Sequence, residues 1–273
     1  MTKILVTGSE GFIGRNMTSW LQQEDGWQID TYDYDPNEFP NVSSYDWVIH
    51  LGAIADMTDN DVDRIMKQNL EFSQRLFNDC NRHGVHLQYA SSSSVYGNTK
   101  DFSESAQCHP QTPYAWSKYL FDRWVFQQSP SIYVQGFRYF NVYGKYMHLR
   151  GHRANVIQKW RDQARKEGKI TVWEGAENIK RDWTWVGDLC RLHIDFIKTV
   201  NGSGIWNVGS GLAHSFLDIA EEIAEQERVE IEFTPIPPDE QHRMRYKTCA
   251  DLTLLKKTIG RRKWLNVFEF LAQ

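Results

Sequence analysis

Tyr114 and Lys118 are the residues of this 273-residue chain whose types and spacing most directly suggest acid–base chemistry. Four positions apart on a helix, the phenol and the ammonium share one face, one turn from each other. Free tyrosine has a pKa of roughly 10, and a nearby cation lowers it. Such a phenol can take a proton from a hydroxyl group while a hydride leaves the same carbon. Thr112 as N-cap and Pro113 in the first turn predict that a helix begins here.

Because such pairs also occur by chance on surface helices, the interpretation depends on the surrounding elements, first on a glycine-rich turn. An apolar strand over 4–7 runs into Gly8, Gly11 and Gly14, and a helical stretch continues to about Gln23. Glycines at this spacing allow a tight turn and close approach of the backbone to a pyrophosphate, which the positive end of the helix would face. A glycine-rich turn without a ligand is the alternative. The order of strand, glycines and helix favours a dinucleotide site.

The choice of dinucleotide depends on Asp33, which follows a second predicted strand over 28–32. Dinucleotide-binding folds carry an acidic residue at about this distance along the chain from the third glycine, here Gly14. A carboxylate there can accept from both ribose hydroxyls of an adenosine, and it would repel a 2′-phosphate. No Lys or Arg lies between Arg15 and Arg64, so no local cation would neutralise such a phosphate. Asp33 therefore favours NAD, with NADP as the alternative cofactor and an ordinary turn acid as the alternative role.

The next segment is unusually short. Only the stretch 34–47 separates Asp33 from Val48, which lies in a predicted strand within 46–55. That length cannot hold the helix–strand–helix connection expected at this point of a full dinucleotide fold. We therefore predict a parallel sheet shortened after its second strand, with the loop 36–44 in place of the missing elements.

Two polar side chains lie within predicted apolar elements. For His50, in the third predicted strand, a packing or capping role is favoured over a catalytic one. Asn69 lies on the apolar stripe of a helix predicted over 59–83. It is either a boundary residue or a buried amide that orients the site.

A serine run follows the predicted strand over 85–90. Active groups of open α/β sheets gather at the carboxyl ends of the strands, and the hydroxyl of Ser92 could hydrogen-bond a reacting oxygen there. Serine runs are often plain loops, but Tyr114 follows Ser92 along the chain, in the order that a shared site requires.

A cationic loop follows a strand predicted over 132–137. Within nine residues it carries five basic or imidazole side chains, namely Lys145, His148, Arg150, His152 and Arg153. Such a loop suits a diphosphate, and a solvated loop is the equal alternative.

Composition narrows the class of protein. The chain has 31 basic and 35 acidic residues, a net charge of −4, which gives no case for nucleic acid or an anionic membrane as partner. No apolar run approaches the roughly 18 residues of a membrane span. The four cysteines are scattered without a Cys-x-x-Cys pair, so we expect no disulfide framework, no metal site and a cytoplasmic location.

Together these motifs resemble the extended short-chain dehydrogenases/reductases, and most closely the ADP-glycero-manno-heptose 6-epimerases, from residue 3 to about 252. The matching motifs are 7–14, 90–92, 95–97, Tyr114 with 117–118, 136–144 and 250–252. The most specific matches are 174–175 with 177–178, 180–182 and 186–188.

The resemblance implies roles for the matching positions. Tyr114 would be the acid/base, Lys118 its pKa-lowering partner and a ribose ligand, and Ser92 the hydroxyl that holds the substrate oxygen. The positions expected to bind the cofactor are Gly8, Gly11, Phe12, Ile13, Gly14, Asp33, Leu51, Gly52, Ala53, Asn69, Lys118 and Val142. The positions expected to contact a nucleotide-diphosphate sugar are Ser92, Asn141, Arg150, Arg153, Glu174 and Arg181.

This chain departs from the family pattern in three ways: the segment after Asp33 is shortened, an arginine replaces a loop lysine, and the C-terminal helix looks truncated. Ser93 and Ser94 stand where dehydratases of this superfamily usually carry Asp-Glu, so dehydration is disfavoured. An arginine, Arg150 or Arg153 depending on the alignment, stands where the heptose epimerases place an acid/base lysine, and arginine is a poor proton donor or acceptor. The shortened segment with Tyr34 after Asp33 weakens a cofactor choice copied from the heptose epimerases, which tend toward NADP.

We therefore expect an α/β protein with a Rossmann-type doubly wound parallel sheet and a smaller α+β substrate domain. The cofactor domain would be 1–141 plus 179–210, and the sugar domain 142–178 plus 211–273. The expected activity is nucleotide-sugar epimerisation, similar to that of ADP-heptose 6-epimerases. An NADPH-dependent ketoreductase and a catalytically silent dinucleotide-binding regulator are the alternatives, and the resemblance suggests a homo-oligomer.

Overall fold

The computed structural model describes residues 1–241 and 245–272. Within those residues no helix combines the length and apolar character needed to cross a membrane. The same residues contain no group of three or more His, Cys, Asp or Glu side chains that could hold a metal ion. The predicted sugar domain includes 242–244 and 273, which lie outside the described residues.

Strands and helices both occur throughout the described chain. The strands are β1 (Thr2–Thr7), β2 (Trp27–Tyr32), β3 (Trp47–His50), β4 (His86–Ser92), β5 (Val134–Tyr139), β6 (Asn141–Tyr143), β7 (Lys169–Trp173), β8 (Lys180–Trp185), β9 (Gly204–Val208), β10 (Ala213–Ser215), β11 (Glu230–Thr234) and β12 (Lys247–Thr248). The α-helices are α1 (Phe12–Leu21), α2 (Val62–Ile65), α3 (Phe72–His83), α4 (Pro113–Phe126), α5 (Val156–Glu167), α6 (Val186–Thr199), α7 (Phe216–Glu227), α8 (Pro238–Gln241), α9 (Thr253–Ile259) and α10 (Val267–Leu271). A π-helical segment, Met66–Glu71, joins α2 to α3, and 3₁₀ turns occupy Ser93–Tyr96, Met147–Arg153 and Ala176–Asn178.

Six parallel strands form the central sheet in the order β2-β1-β3-β4-β5-β9. β1 lies between β2 and β3, so that Thr7 is opposite Tyr32 on one side and His50 on the other. β3 and β5 are buried along their whole length, as expected for strands covered by helices on both faces. The segments that leave the carboxyl ends of these strands share one edge of the sheet. The predicted Rossmann-type α/β fold is confirmed.

The connection from β2 to β3 confirms the predicted shortening of the sheet. Residues 33–46, all of them described, contain neither helix nor strand, and β2 is the edge strand of the sheet. Tyr45 covers part of this side, where its hydroxyl donates to Asp30 Oδ2 at 3.0 Å. The shortened sheet therefore ends beside the turn that carries Asp33.

Shorter strands build the smaller part of the molecule. β8 pairs with β6, β10 and β12, and β7 pairs with β11. Asp182 on β8 accepts hydrogen bonds from the backbone nitrogens of Ser210 (2.7 Å), Gly211 (2.9 Å) and Ala250 (3.0 Å). One buried carboxylate thus holds two distant segments against β8. The predicted domain boundaries themselves stay a prediction.

Helix α4 begins as the sequence predicts. Thr112 Oγ1 accepts a hydrogen bond from the backbone nitrogen of Ala115 at 3.2 Å, and Pro113 is the first helical residue. The cap satisfies one of the free N–H groups of the first turn. Tyr114 lies in this first turn, and Lys118 lies one turn later.

A buried ion pair fixes α4 to the central sheet. Asp122, one turn beyond the lysine of α4, lies 3.0 Å from Arg138 Nε on β5, and both side chains are buried. Asp122 also accepts from Ser91 Oγ at 3.0 Å and Tyr89 Oη at 3.1 Å on β4. These bonds satisfy a carboxylate that burial would otherwise strongly destabilise. They hold α4 against the carboxyl ends of β4 and β5.

Candidate active site

The glycine-rich turn brings two backbone segments almost into contact. Gly8 has a φ of +76°, and a Cβ on it would lie 2.4 Å from the backbone nitrogen of Gly52. A Cβ on Gly14 would lie 2.0 Å from the carbonyl oxygen of Gly8. Gly11 is the N-cap of α1 and donates its N–H to Gly8 at 3.2 Å. Side chains at positions 8 and 14 are therefore excluded, and the turn leaves the amino end of α1 open to an anion.

The other predicted cofactor positions on this side border the same turn. Ile13 is half-buried on α1, whereas Phe12 is packed into the core. Leu51 continues from β3 and donates its N–H to Thr7 at 3.0 Å. The half-buried positions that run past Gly8 are Leu51, Gly52 and Ala53.

Asp33 is held against the turn. Ser9 Oγ donates to Asp33 Oδ2 at 2.5 Å, and the backbone nitrogen of Glu10 lies 3.2 Å from both carboxylate oxygens. The side chain is otherwise exposed. The carboxylate therefore has a defined orientation and free lone pairs that two ribose hydroxyls could use.

Asn69 fixes the segment that follows β3. Its Oδ1 accepts from the backbone nitrogen of Ile54 at 2.8 Å, and its Nδ2 donates to the Ile54 carbonyl at 3.0 Å. Nδ2 also donates to Ser117 Oγ on α4 at 3.0 Å. Asn69 is only 1% exposed and lies in the π-helical segment. It is thus a buried amide that orients neighbouring backbone, the second of the two predicted interpretations.

His50 has a structural role. Thr7 Oγ1 lies 2.6 Å from His50 Nδ1, and Ser73 Oγ lies 2.8 Å from Nε2. Burial lowers the pKa of His50 to about 3, with a further contribution from the charge of Lys118. The imidazole is neutral at pH 7 and fully hydrogen-bonded, as expected for the packed residue that the sequence favours.

Tyr114 and Ser92 meet at the carboxyl end of β4. The two side chains are hydrogen-bonded to each other, and Ser92 Oγ also accepts from the backbone nitrogen of Ser94 at 3.1 Å. Burial raises the pKa of Tyr114, whereas the hydrogen bond from Ser92 and the charge of Arg150 lower it. The phenol and the hydroxyl can therefore reach one shared substrate oxygen.

Lys118 is 5% exposed, and among the described residues its ammonium donates no hydrogen bond. Burial lowers the pKa of Lys118 to about 8, although the nearby carboxylate of Asp122 acts in the opposite direction. The side chain is therefore mainly protonated at pH 7. A buried cation without a hydrogen-bond acceptor is costly, so its position suits a ligand with hydroxyl groups.

The structure adds a cation that acts on Tyr114. The charge of Arg150 lowers the pKa of this phenol, and that of Lys118 acts on the imidazole of His50, while the expected effect of Lys118 on Tyr114 stays a prediction. Arg150 comes from the 3₁₀ turn after β6, and its Nη2 donates to the carbonyl of Ala55 at 3.1 Å. Sequence spacing could not reveal a contact between segments this far apart.

Three other charged residues are predicted to contact the substrate. Arg153 and Glu174 are both exposed, and neither is among the described residues that line the cavity near Tyr114. Arg150 is half-buried, and burial lowers its pKa. The roles of these three residues in binding substrate stay predictions.

A cavity of about 320 Å³ opens beside α4. Two predicted substrate residues line it, Asn141 at the start of β6 and Arg181 on β8. The neighbouring Val142, predicted to line the cofactor, is half-buried, and its carbonyl accepts from Asn155 Nδ2 at 3.0 Å. The other lining residues are Met57, Thr58, Ser94, Gln111, Thr112, Ala115, Ala154, Asn155, Val156, Trp183, Phe216, Glu240 and Arg245.

Several polar atoms of the lining lack a partner. Ser94 Oγ, Trp183 Nε1 and Arg245 Nη1 are buried without a hydrogen bond to any described residue. Unpaired buried donors are rare in folded proteins and mark places where a ligand or water completes the bonding. The lining is therefore suited to a ligand rich in oxygen atoms.

Two guanidinium groups face this cavity together. The parallel pairing of β12 with β8 brings Arg245 to Arg181. Burial lowers the pKa of Arg181 to about 9, and the like charge of Arg245 lowers it further. Burial also lowers the pKa of Arg245. Among the described residues, the lining also includes one carboxylate, that of Glu240, so the two guanidinium groups leave it with net positive charge, which suits an anion such as a diphosphate. Sequence reasoning missed Arg245, because no motif marks it.

The residues present fit a nicotinamide dinucleotide. The turn at Gly8 and Gly14 has no room for side chains, Asp33 is oriented at the end of β2, and the ammonium of Lys118 has no acceptor among the described residues. With the phenol of Tyr114 at the neighbouring strand end, fold and site define a dinucleotide-dependent enzyme of the extended short-chain dehydrogenase/reductase class.

Comparison with known proteins gives the family. The profile of the NAD dependent epimerase/dehydratase family matches residues 4–209, well over half of the chain. The chain belongs to this family, whose name specifies NAD as the cofactor. That agrees with the preference predicted from Asp33.

Solved structures show the same fold. The chain is similar to the ADP-L-glycero-D-manno-heptose-6-epimerase of Helicobacter pylori at 22% identity, with a TM-score of 0.86 over 98% of this chain and 93% of that chain. It is similar to an NAD dependent NDP-hexosamine 5,6-dehydratase involved in tunicamycin biosynthesis (21%, 0.84, 100% and 96%). It is also similar to the UDP-glucose 4-epimerase of Thermus thermophilus, solved with NAD (24%, 0.81, 99% and 96%).

Proposed function

We propose that this chain is a nucleotide-sugar epimerase that acts by transient hydride transfer to bound NAD. The observation that carries the proposal is the phenol of Tyr114 beside Ser92 at the end of β4, near a cavity lined by Arg181 and Arg245. Bound NAD supplies a reversible hydride acceptor. Because the hydride returns to the same carbon on the other face, the reaction has no net redox change.

The protein supplies the proton transfers. Tyr114 takes the proton of the hydroxyl on the reacting carbon and returns it when the hydride comes back. Ser92 would donate a hydrogen bond to the same oxygen, and Lys118 would bind the ribose hydroxyls of the cofactor. Burial raises the pKa of Tyr114, so the phenolate depends on nearby positive charge, which Arg150 provides.

The cavity would hold the diphosphate and the sugar. Arg181 and Arg245 would bind phosphate oxygens, for which two neighbouring guanidinium groups are well suited. Ser94 Oγ and Trp183 Nε1, which lack partners among the described residues, would bind sugar or phosphate oxygens. Asn141, which lines the same cavity, would contact the substrate as well.

The serines after Ser92 support epimerisation over dehydration. Dehydration needs an additional acid and base next to the reacting carbon. Ser93 and Ser94 are both buried at the positions where a carboxylate pair would stand, and neither can supply that chemistry at neutral pH.

Two kinds of nucleotide-sugar fit the proposed site. The motifs at 174–178 and 180–182 support an ADP-heptose 6-epimerase-like activity, and the Helicobacter pylori heptose epimerase shares the fold. UDP-glucose 4-epimerases share the fold as well. A substrate panel must therefore include ADP-heptoses together with UDP-hexoses.

The test combines ligand identification with turnover. Mass spectrometry of ligands released from the purified protein should find NAD, and NMR should detect epimer formation with one member of the panel. Tyr114→Phe should lower turnover by about 10²- to 10⁴-fold while NADH binding persists. Tyr119→Phe, on the same helix, is the matched control. Full turnover by Tyr114→Phe would contradict the proposal.

An NADPH-dependent nucleotide-sugar ketoreductase is the second candidate. The observation in its favour is that Arg150 acts on Tyr114. Because arginine is a poor proton donor or acceptor, Tyr114 is then the only one of these two residues that can transfer a proton. A reductase would consume NADPH stoichiometrically with a keto-sugar, whereas an epimerase would turn over without added cofactor. A protein inert in both assays would favour the dinucleotide-binding regulator.

We also propose a cytoplasmic homo-oligomer with the domain division 1–141 plus 179–210 and 142–178 plus 211–273. All four cysteines are free thiols, which supports a reducing compartment. Sedimentation equilibrium would test the oligomeric state, and a monomer at micromolar concentration would contradict it.

A further inference from the structure

The glycine-rich turn carries a second carboxylate besides Asp33. Glu10 lies between the first two glycines, and its backbone nitrogen donates to both oxygens of Asp33 at 3.2 Å. The Glu10 side chain is 68% exposed. The two carboxylates therefore belong to one small surface at the carboxyl ends of β1 and β2, where the adenosine ribose of a dinucleotide would bind.

Arg15 is the cation nearest to this surface along the chain, and it forms an ion pair with Glu10. Arg15 Nη2 pairs with Glu10 Oε2, and Arg15 Nε donates to the Glu10 carbonyl at 3.2 Å. No further Lys or Arg occurs before Arg64, which itself pairs with Asp59 and Asp61. A 2′-phosphate at this turn would thus meet negative charge and a guanidinium that is already engaged.

We propose that Glu10 is a second determinant of cofactor choice, which excludes NADP by holding Arg15 in an ion pair next to Asp33. This inference rests on the proposed function, because it concerns the dinucleotide that the function requires. Asp33 alone would repel the 2′-phosphate, but arginine is the side chain best suited to bind one in a bidentate manner. In this chain Arg15 is present at the turn, but its ion pair with Glu10 keeps it from binding a 2′-phosphate.

The experiment measures the dissociation constants of NADH and NADPH through the fluorescence of the bound reduced nicotinamide. The wild-type protein should bind NADH more tightly. Glu10→Gln should lower the ratio of the NADPH to the NADH dissociation constant by about three- to fivefold, the range expected for an exposed charge pair. The double variant Glu10→Gln with Arg15→Gln should lose most of that gain, because the freed guanidinium is gone.

The matched control is Glu24→Gln, which breaks an exposed ion pair with Lys198 at the other end of α1 and should leave the ratio unchanged. An unchanged ratio in Glu10→Gln, an equal shift in the control, or a gain that survives in the double variant would overturn the role of Glu10. Wild-type protein that binds neither dinucleotide would instead contradict the proposed function itself.

Discussion

Two cations near the proposed reaction centre act on different groups. Lys118 is buried on α4 next to His50 and Asp122 and has no hydrogen-bond acceptor among the described residues. Arg150 reaches the phenol of Tyr114 from the 3₁₀ turn after β6. We infer a division of work in which the lysine binds the cofactor and the arginine helps to set the acidity of the phenol.

Removal of that arginine should shift the pH dependence of the reaction. Arg150 lowers the pKa of Tyr114, so Arg150→Gln should raise it. Since the reaction begins with the phenolate, the acidic limb of kcat/KM against pH should move to higher pH. Arg153→Gln, an exposed arginine of the same turn, is the control. An unshifted limb in Arg150→Gln would show that the charge does not act on the phenol.

Asn69 shows how one helical element holds another in place. The π-helical segment between α2 and α3 presents this amide to the backbone of Ile54 and to Ser117 on α4. Such segments frequently occur at functional sites, because the additional residue in the turn redirects a side chain. Here it links the segment after β3 to the helix that carries Tyr114.

Asn69→Ala should therefore affect stability and cofactor binding together. It leaves the N–H and C=O of Ile54 buried without partners, and we expect the free energy of unfolding to fall by about 2–3 kcal/mol in urea titrations. The affinity for NADH should fall as well, since residues 51–55 lose their support. Asn69→Asp sets a buried carboxylate against the Ile54 carbonyl and should be at least as destabilising as Asn69→Ala. A variant with lower stability but full NADH affinity would limit Asn69 to a packing role.

The sequence predicts the longer elements well, because each combines a regular apolar period with a distinct start signal. The N-cap at Thr112 lies at the start of α4 as predicted, and a capping box of Ser215 with Asp218 lies at the start of α7. The glycine turn and the absence of a helix in the described stretch 33–46 follow from local spacing alone. Local chemistry of this kind does not depend on distant parts of the chain.

The elements that the sequence does not reveal are short or depend on distant contacts. β8 mixes charged and aromatic residues and so has no clear apolar pattern. Asp182 is buried and binds backbone of distant segments, whereas Lys180 faces solvent. Strands β10 and β12 have three and two residues, too few for any periodicity. Arg245 reaches the cavity only through the pairing of β12 with β8, although it is far from Arg181 along the chain. Tertiary pairing, not local preference, creates that part of the site.

Two neutral histidines link the stability of the whole molecule to pH. His193 on α6 lies 2.6 Å from Tyr139 Oη and 2.7 Å from Gln88 Oε1, and burial lowers its pKa to about 3. Burial lowers the pKa of His50 to about 3 as well. Both are ordinary histidines in the unfolded chain, with a pKa of about 6.5. The unfolded state therefore binds more protons between these values.

Stability should fall as the pH decreases through this window. Each histidine contributes stability that is present above about pH 6.5 and is lost toward pH 3, or about 2 kcal/mol between pH 7.5 and pH 5. In urea titrations across this range, His193→Gln should have a shallower pH slope than wild type, whatever its absolute stability. His83→Gln, exposed at the end of α3, should keep the wild-type slope. Equal slopes for all three proteins would contradict this assignment.

The shortened sheet also has a consequence for handling the protein. As the terminal strand of the sheet, β2 has an outer edge that faces the loop 33–46 instead of another strand, and an uncovered edge of this kind is a template for pairing with further chains. Asp30 within the strand and its bond to Tyr45 protect that edge. A protease cut in the loop would remove the protection, so nicked molecules would be the ones that seed aggregates.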